Sequence, residues 1–399
     1  MSALKEVLME HISEEHLVEL VSDMIRIPSY FGIPNQETGV AKHIKAFFDA
    51  NEIPCELKEV ADGRCNMIAT LDSGNPGKTL LFNTHMDTVE PNGWAEAFEP
   101  RIVDGKLYGR GATDPKGSMA CVMEAVAAIK KTGALKKGKI IVTGVIDEEH
   151  NSLGTIDVLE SGITADGAIV AETTNLEIYT AQRGLEWLKF RFIGKAIHSN
   201  KQREGINAIA KAVAFINAME EKLIPKVAER THPLLKESTL NYCVIHGGTQ
   251  PSTVAGNCEL QLDRRFLPYE GYDTVLGEFQ TLLDELAAKD PQFKCEMSVC
   301  EESAMKEGYV HLPFETPLED PLVAVLQDAV KEATEKEPVM GFMAAWTDGG
   351  LLSGYGRIPT VVLACVGEGA HTDHENISVA HMPKTALAYA LGAVAFCHS

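Results

Sequence analysis

TLLFNTHMD, residues 79–87, is a short apolar run that stops on a histidine and an aspartate. A run with so little polar alternation fits a strand covered on both faces. KIIVTGVIDEE (139–149) and GAIVAE (167–172) repeat the pattern, each apolar stretch ending in carboxylates. Between the first two, Met119, Val122, Val126 and Ile129 fall in helical phase and Gly133 closes the segment. Strands alternating with helices predict an α/β sheet, parallel at least in part and covered by helices. In such sheets ligands bind beyond the carboxyl ends of the strands, where these acids and the histidine fall.

Outward from this core, Ser13 caps a predicted helix with Leu17, Leu20, Val21 and Met24 on one face, stopped by Pro28. A second helix carries Val40, Ile44, Phe47 and Phe48. After residue 180 the pattern changes. LEWLKFRF (185–192) alternates rather than running apolar, with Leu188, Phe190 and Phe192 opposite Lys189 and Arg191, and CELQLD (258–263) puts Cys258, Leu260 and Leu262 on one face, which suits a sheet with one wet face. A helical pattern around Ile209, Val213 and Ile216, then two strands of which CELQLD is the second, then a helical pattern over residues 275–289 make a βαββα-like, small α+β, ferredoxin-like block. From Phe314 the αβ alternation resumes, with TVVLACV (360–366) as another buried strand. The expected organisation is a discontinuous domain of residues 1–181 and 302–399, interrupted by a domain of residues 182–301.

Composition narrows the function. The chain has 399 residues and a formal net charge of −21, which repels phosphate backbones and argues against nucleic-acid binding. Its nine cysteines are scattered without a CxxC, so neither a disulfide framework nor a thiolate zinc site is expected. No apolar run approaches the ~20 residues of a membrane span, and MSALKEVLMEHISEEH has no signal-like apolar stretch. A reducing, cytoplasmic setting without membrane attachment is expected.

The chemistry lies in segments near strand ends: His85 with Asp87, Asp114 in GRGATDPKG, Glu148 and Glu149 in the DEE turn, Glu172, and His371 in GEGAHTDHE. Singly, each has an ordinary reading as a loop histidine, a helix cap or a solvated turn. Together they form a nitrogen and oxygen donor set without cysteine, which suits Zn²⁺, or Mn²⁺ and Co²⁺. GRGATDPKG has neither the GxGxxG spacing of a dinucleotide fingerprint nor the Gly-Lys-Ser/Thr of a phosphate loop.

HMDTV, GRGATDPKG, DEEHNSLG, AETT, GKAIHS with GINAI, LDRRFLP, WTDGG and GAHTDHE follow one another along nearly the whole chain. In that order they resemble the M20 zinc peptidases, most closely the acetylornithine deacetylase/succinyl-diaminopimelate desuccinylase group. The resemblance implies a zinc-peptidase-like catalytic domain with an inserted dimerisation and lid domain. It implies two divalent ions, zinc by preference and cobalt or manganese otherwise: one held by His85 and Glu172, the other by Glu149 and His371, with Asp114 bridging. A water between the ions would be the nucleophile and Glu148 the general base. Asp87 would fix the tautomer of His85. A cis peptide is implied at Asp114-Pro115.

In the inserted domain the resemblance implies a homodimer, in which His198 reaches the partner subunit's site as an oxyanion donor. Arg265 would grip a substrate carboxylate, with Arg264 beside it the candidate for a surface salt bridge. Ser252 stands where many relatives carry a substrate-contacting asparagine, and Trp346 with Thr347 would border the pocket. His150 matches no ligand position. The expected reaction is hydrolysis of an N-acyl amino acid or related small amide. A dipeptidase or carboxypeptidase of the same family is the nearest alternative. A non-catalytic binding dimer is the alternative of another class, and the complete ligand set argues against it.

Overall fold

The computed structural model describes residues 2–399, which form two compact units. The first comprises the chain up to Ala181, Phe314–Met343 and Thr347–Ser399. Its nine-stranded sheet runs Cys55–Ala61, Arg64–Asp72, Lys139–Val145, Thr79–His85, Gly167–Val170, Thr360–Val362, Ile178–Gln182 and Phe314–Glu315, with Met340–Met343 paired to Ile178–Gln182. The central strands are parallel: Thr79–His85 lies between Lys139–Val145 and Gly167–Val170, and Thr360–Val362 pairs with Gly167–Val170. Their carboxyl ends therefore share one edge of the sheet.

These strands are buried almost throughout, as their unbroken apolar character requires. The helix Gly117–Thr132 is buried from Gly117 to Ile129 and packs with Met382–His398, itself apolar nearly all round. Gly154 makes a close approach possible. A Cβ there would lie 2.4 Å from Ile146 N and 2.7 Å from Ile146 O, so only glycine lets the helix Leu153–Glu160 pack against the DEE turn. A second, four-stranded sheet (Gly367–Glu368, Asn376–Ser378, Lys106–Tyr108, Arg101–Val103) ties the His371 loop to the GRGATDPKG segment. The Asp114-Pro115 peptide is cis.

The second unit comprises Gln182–Pro313 and Ala344–Trp346. Its antiparallel sheet has the order Thr239–Gly247, Asn257–Phe266, Gly184–Ile193, Cys295–Val299. Two helices, Ala208–Lys222 and Tyr272–Lys289, contribute Phe215 and Phe279 to a core with Leu188, Phe190, Phe192, Leu260 and Leu262. The strand Cys295–Val299 completes a βαββαβ order that the sequence pattern leaves one strand short. The unit continues past residue 301 because residues 303–312 stay attached to it. Ser303 Oγ lies 3.2 Å from a Glu186 carboxylate oxygen, Leu185 N–H donates to His311 O, and Trp346 Nε1 donates to Leu312 O at 2.9 Å. Among the described residues no helix is long and apolar enough to cross a membrane.

Candidate metal centre

His85 is the last residue of its strand and is 2% exposed. Its Nδ1 lies 3.1 Å from Asp87 O and 3.3 Å from Asp87 Oδ1, which leaves Nε2 facing outward from the sheet edge. Asp87 also accepts the backbone N–H groups of Glu148 (3.2 Å) and Glu149 (3.0 Å), one on each carboxylate oxygen. One buried aspartate thus orients the imidazole and pins the turn that carries the neighbouring glutamates.

That turn depends on Asp147. Its φ is +71°, and its carbonyl accepts N–H groups from His150, Asn151 and Ser152. Arg64 donates to the Asp147 carboxylate at 2.8 Å and to Glu37 at 2.9 Å, while Glu37 accepts the Asp147 N–H. Because successive side chains diverge, Glu148 and Glu149 face different partners.

Asp114 lies at the centre of the cluster. Its Oδ1 is 3.1 Å from His85 Nε2 and its Oδ2 is 3.2 Å from His371 Nε2. Glu172 Oε1 is 2.9 Å from His85 Nε2, and Glu149 Oε1 is 3.3 Å from His371 Nε2. Glu148 Oε2 stays 4.0 Å from His85 Nε2. The structure thus brings together His85, Asp87, Asp114, Glu148, Glu149, Glu172 and His371.

Two donors ~2.0–2.1 Å from one tetrahedral zinc stand about 3.3 Å apart, so this spacing fits ligand atoms around a metal ion. His85, Glu148 and Glu172 offer one group of ligand atoms, and His85, Asp114 and Glu149 another, each within 4.8 Å. Four carboxylates converge on two imidazoles here, a donor set whose charge calls for cations. His371 has φ +64° and a half-exposed side chain, so the centre opens to solvent on its side.

The electrostatics are consistent with that crowding. Burial, then the charges of Glu172, Asp348 and Glu149, push the Glu148 carboxyl well above its ordinary range. Burial also raises Glu172. Burial alone would raise Asp114, yet hydrogen bonds to His371 and His85 hold it well below the usual carboxylate range. Hydrogen bonds to Asp114, then Glu149, push His371 up to about 10. Asp348, raised to about 7 by burial, accepts Thr155 Oγ1 at 2.6 Å. Nothing in one dimension marks Glu37 and Arg64 as supports of the DEE turn, because the contact is tertiary. Asp348 stands inside WTDGG, and its burial alone distinguishes it.

The other predicted positions are placed by their own units. Thr347 is buried in the first unit, its Oγ1 accepting Gly349 N–H at 3.2 Å. In the second unit His198 is exposed and precedes a short turn, its Nδ1 accepting Asn200 N–H. Ser252 is adjacent to it, since Ser252 O accepts Ser199 N–H at 2.8 Å and His198 bridges to Thr253. Arg265 is held at 2.9–3.2 Å by Asp263, which also accepts Trp187 Nε1. Arg264 is not on the surface. It is fully buried and donates to Glu270 at 2.6 Å, because strand alternation puts it on the face of Leu260 and Leu262.

The sequence model of peptidase family M20/M25/M40 matches residues 81–393. A Staphylococcus aureus (strain MRSA252) protein named probable succinyl-diaminopimelate desuccinylase is 28% identical over 306 residues, 70% of this chain and 74% of that protein. The N-formyl-4-amino-5-aminomethyl-2-methylpyrimidine deformylase of Bacillus subtilis (strain 168) is 27% identical over 396 residues, 92% of this chain and 91% of that protein. The crystal structure of aminopeptidase PepT from Bacillus cereus ATCC 10987 matches in fold, with TM-score 0.81 and 22% identity over 97% of this chain and 99% of that one. With the family model spanning most of its length and the donor cluster at the expected sheet edge, this chain belongs to peptidase family M20/M25/M40 as a metal-binding hydrolase.

Proposed function

We propose that the chain is a two-metal amidohydrolase that cleaves an N-acyl amino acid or a related small amide. The observation that carries this reading is the Asp114 carboxylate, whose two oxygens divide between His85 and His371. His85 and Glu172 would hold one divalent ion, Glu149 and His371 the other, and Asp114 would serve both. Such ions, zinc by preference and cobalt or manganese as substitutes, would lower the pKa of a water and polarise the amide carbonyl. Glu148 takes a proton from the attacking water and returns it to the departing amine, a role open to it because its carboxylate stands 4.0 Å from His85 Nε2 without a hydrogen bond to it. Asp87 holds His85 and the Glu148–Glu149 turn in place.

Arg265 is our candidate for the substrate carboxylate, with Ser252 and Thr347 as further contacts. Exposed Ile209, Val213 and Ile245 in the second unit support a homodimer through that unit, in which His198 would donate to the partner's scissile carbonyl. The absence of a paired-cysteine framework supports a cytoplasmic setting. Dipeptidase or carboxypeptidase cleavage would use the same residues.

The test is amine release from N-acetyl-, N-formyl- and N-succinyl-amino acids and from dipeptides, using zinc-loaded protein with Glu148→Gln as blank. Turnover of one acyl class supports the proposal and identifies the substrate. Turnover of dipeptides alone selects the peptidase alternative, and silence across the panel overturns the reading.

A further inference from the structure

Glu375 comes four residues after His371, yet its carboxylate is committed to a different segment. It is 1% exposed. Its Oε1 accepts the backbone N–H groups of Thr113 and Asp114, both at 3.1 Å. Its Oε2 accepts Gly111 N–H at 3.0 Å and Arg110 Nη1 at 2.6 Å. A carboxylate has about four lone-pair sites, and these donors use all of them. The Glu375 carbonyl also accepts Gly109 N–H, and Asn376 pairs with Tyr108 in the small sheet.

The turn so held is tightly built. Gly111 has φ +84°, and a Cβ there would meet Thr88 Cγ2 and Lys116 Cδ at 2.9 Å. The N–H groups of Gly111, Thr113 and Asp114 converge on one concavity suited to an anion, while that of Ala112 turns to Gly109 O, and Glu375 supplies the anion from the loop carrying His371. Asp114 is thereby held at its backbone N–H, while its side chain stays within reach of His85 and His371.

We propose that Glu375 is a positioning residue: its carboxylate fixes the Gly111–Asp114 turn against the His371 loop, so that Asp114 faces both imidazoles before any metal binds. The proposal rests on the two-metal reading of the centre. A glutamine would offer one acceptor oxygen and turn an amide NH₂ toward donors. Aspartate keeps the charge but is one methylene short.

The test titrates metal-stripped full-length protein with Co²⁺, following visible absorption and competition with a chromophoric chelator. Wild type should bind two ions. Glu375→Gln should lose about ten- to a hundredfold in affinity for at least one of them, with an altered Co²⁺ spectrum, and Glu375→Asp should recover part of the loss. Wild-type affinities and spectrum in Glu375→Gln overturn the proposal, even if its melting temperature falls, because the role would then be only structural.

Amide exchange of metal-free wild type provides a check independent of any variant's folding. Slow exchange at Gly111, Thr113 and Asp114, unchanged by Co²⁺, supports preassembly. Fast exchange that slows only after Co²⁺ addition overturns it. If wild type binds no second ion, the two-metal reading fails, and the exchange result still decides whether the turn is preassembled.

Discussion

Glu148 Oε2 stops 4.0 Å from His85 Nε2, beyond hydrogen-bond range. Glu172 contacts that nitrogen at 2.9 Å, so of the two glutamates Glu148 is the one without a direct contact to His85, and it is the one we propose as the base. Glu148→Gln preserves shape and removes the proton acceptor. The expected result is full metal content with turnover lowered by about 10²–10⁴-fold. Metal analysis and amine release measure both, and retained turnover would remove Glu148 as the base.

Asp87→Asn tests whether one carboxylate supports both sides of the centre. Asparagine can accept only one of the Glu148 and Glu149 N–H groups and meets the other with its NH₂. Metal affinity should fall about 10–100-fold, the usual effect of losing a partner of a ligating histidine. Competition with a chelator checks this. An affinity equal to wild type would mean that the turn is held by Arg64 and Glu37 alone.

Adjacent arginines should respond oppositely. Arg264→Met strips the buried Glu270 of one cation and should cost about 3 kcal/mol, the low end for breaking a buried pair, because Arg230 still reaches Glu270. Arg265→Met should change stability by only about 0.5 kcal/mol and raise KM, since its partner Asp263 is part-exposed. Urea unfolding and steady-state kinetics separate the two, and an unchanged KM for Arg265→Met would end its assignment to the substrate carboxylate.

His311 gives a pH dependence. Burial, then the charge of Arg265, lowers its pKa to about 4. The unfolded histidine titrates near ~6.5, so between those values the unfolded chain binds a proton that the folded chain refuses. Stability contributed by this group is therefore present above pH ~6.5 and is lost as pH falls toward about 4, by roughly 2–3 kcal/mol. His311→Phe keeps a ring against Trp346, which packs edge-on at 4.7 Å, and removes the proton. The variant should gain stability relative to wild type on going from pH 7 to 4.5 in paired denaturant melts. Parallel curves would refute the assignment.

Much of the centre was legible because buried parallel strands are written as unbroken apolar runs. Their ends, at His85, the DEE turn and Glu172, stand out against that background. The alternation of Cys258, Leu260 and Leu262 likewise assigns Arg264 to the core and Arg265 to the open face, although a pair of arginines invites a surface reading. Cys295–Val299 was illegible because it is short and its inward residues are only partly buried. Glu37 and Glu375 were illegible for a different reason. A glutamate that satisfies backbone N–H groups looks like any other glutamate until the fold brings those groups to it.

Thr360–Val362 takes its place between Gly167–Val170 and Ile178–Gln182, strands made much earlier in the chain. On a ribosome adding about 5–20 residues per second, the gap stays open for roughly 10–40 seconds. A Gly167–Val170 strand formed within that interval would lack its Thr360–Val362 neighbour, and an unpaired apolar edge is a template for wrong pairing. His371 emerges later still, so a nascent chain carries His85, Asp114 and Glu172 without it. The constellation is completed only once residue 371 has been made.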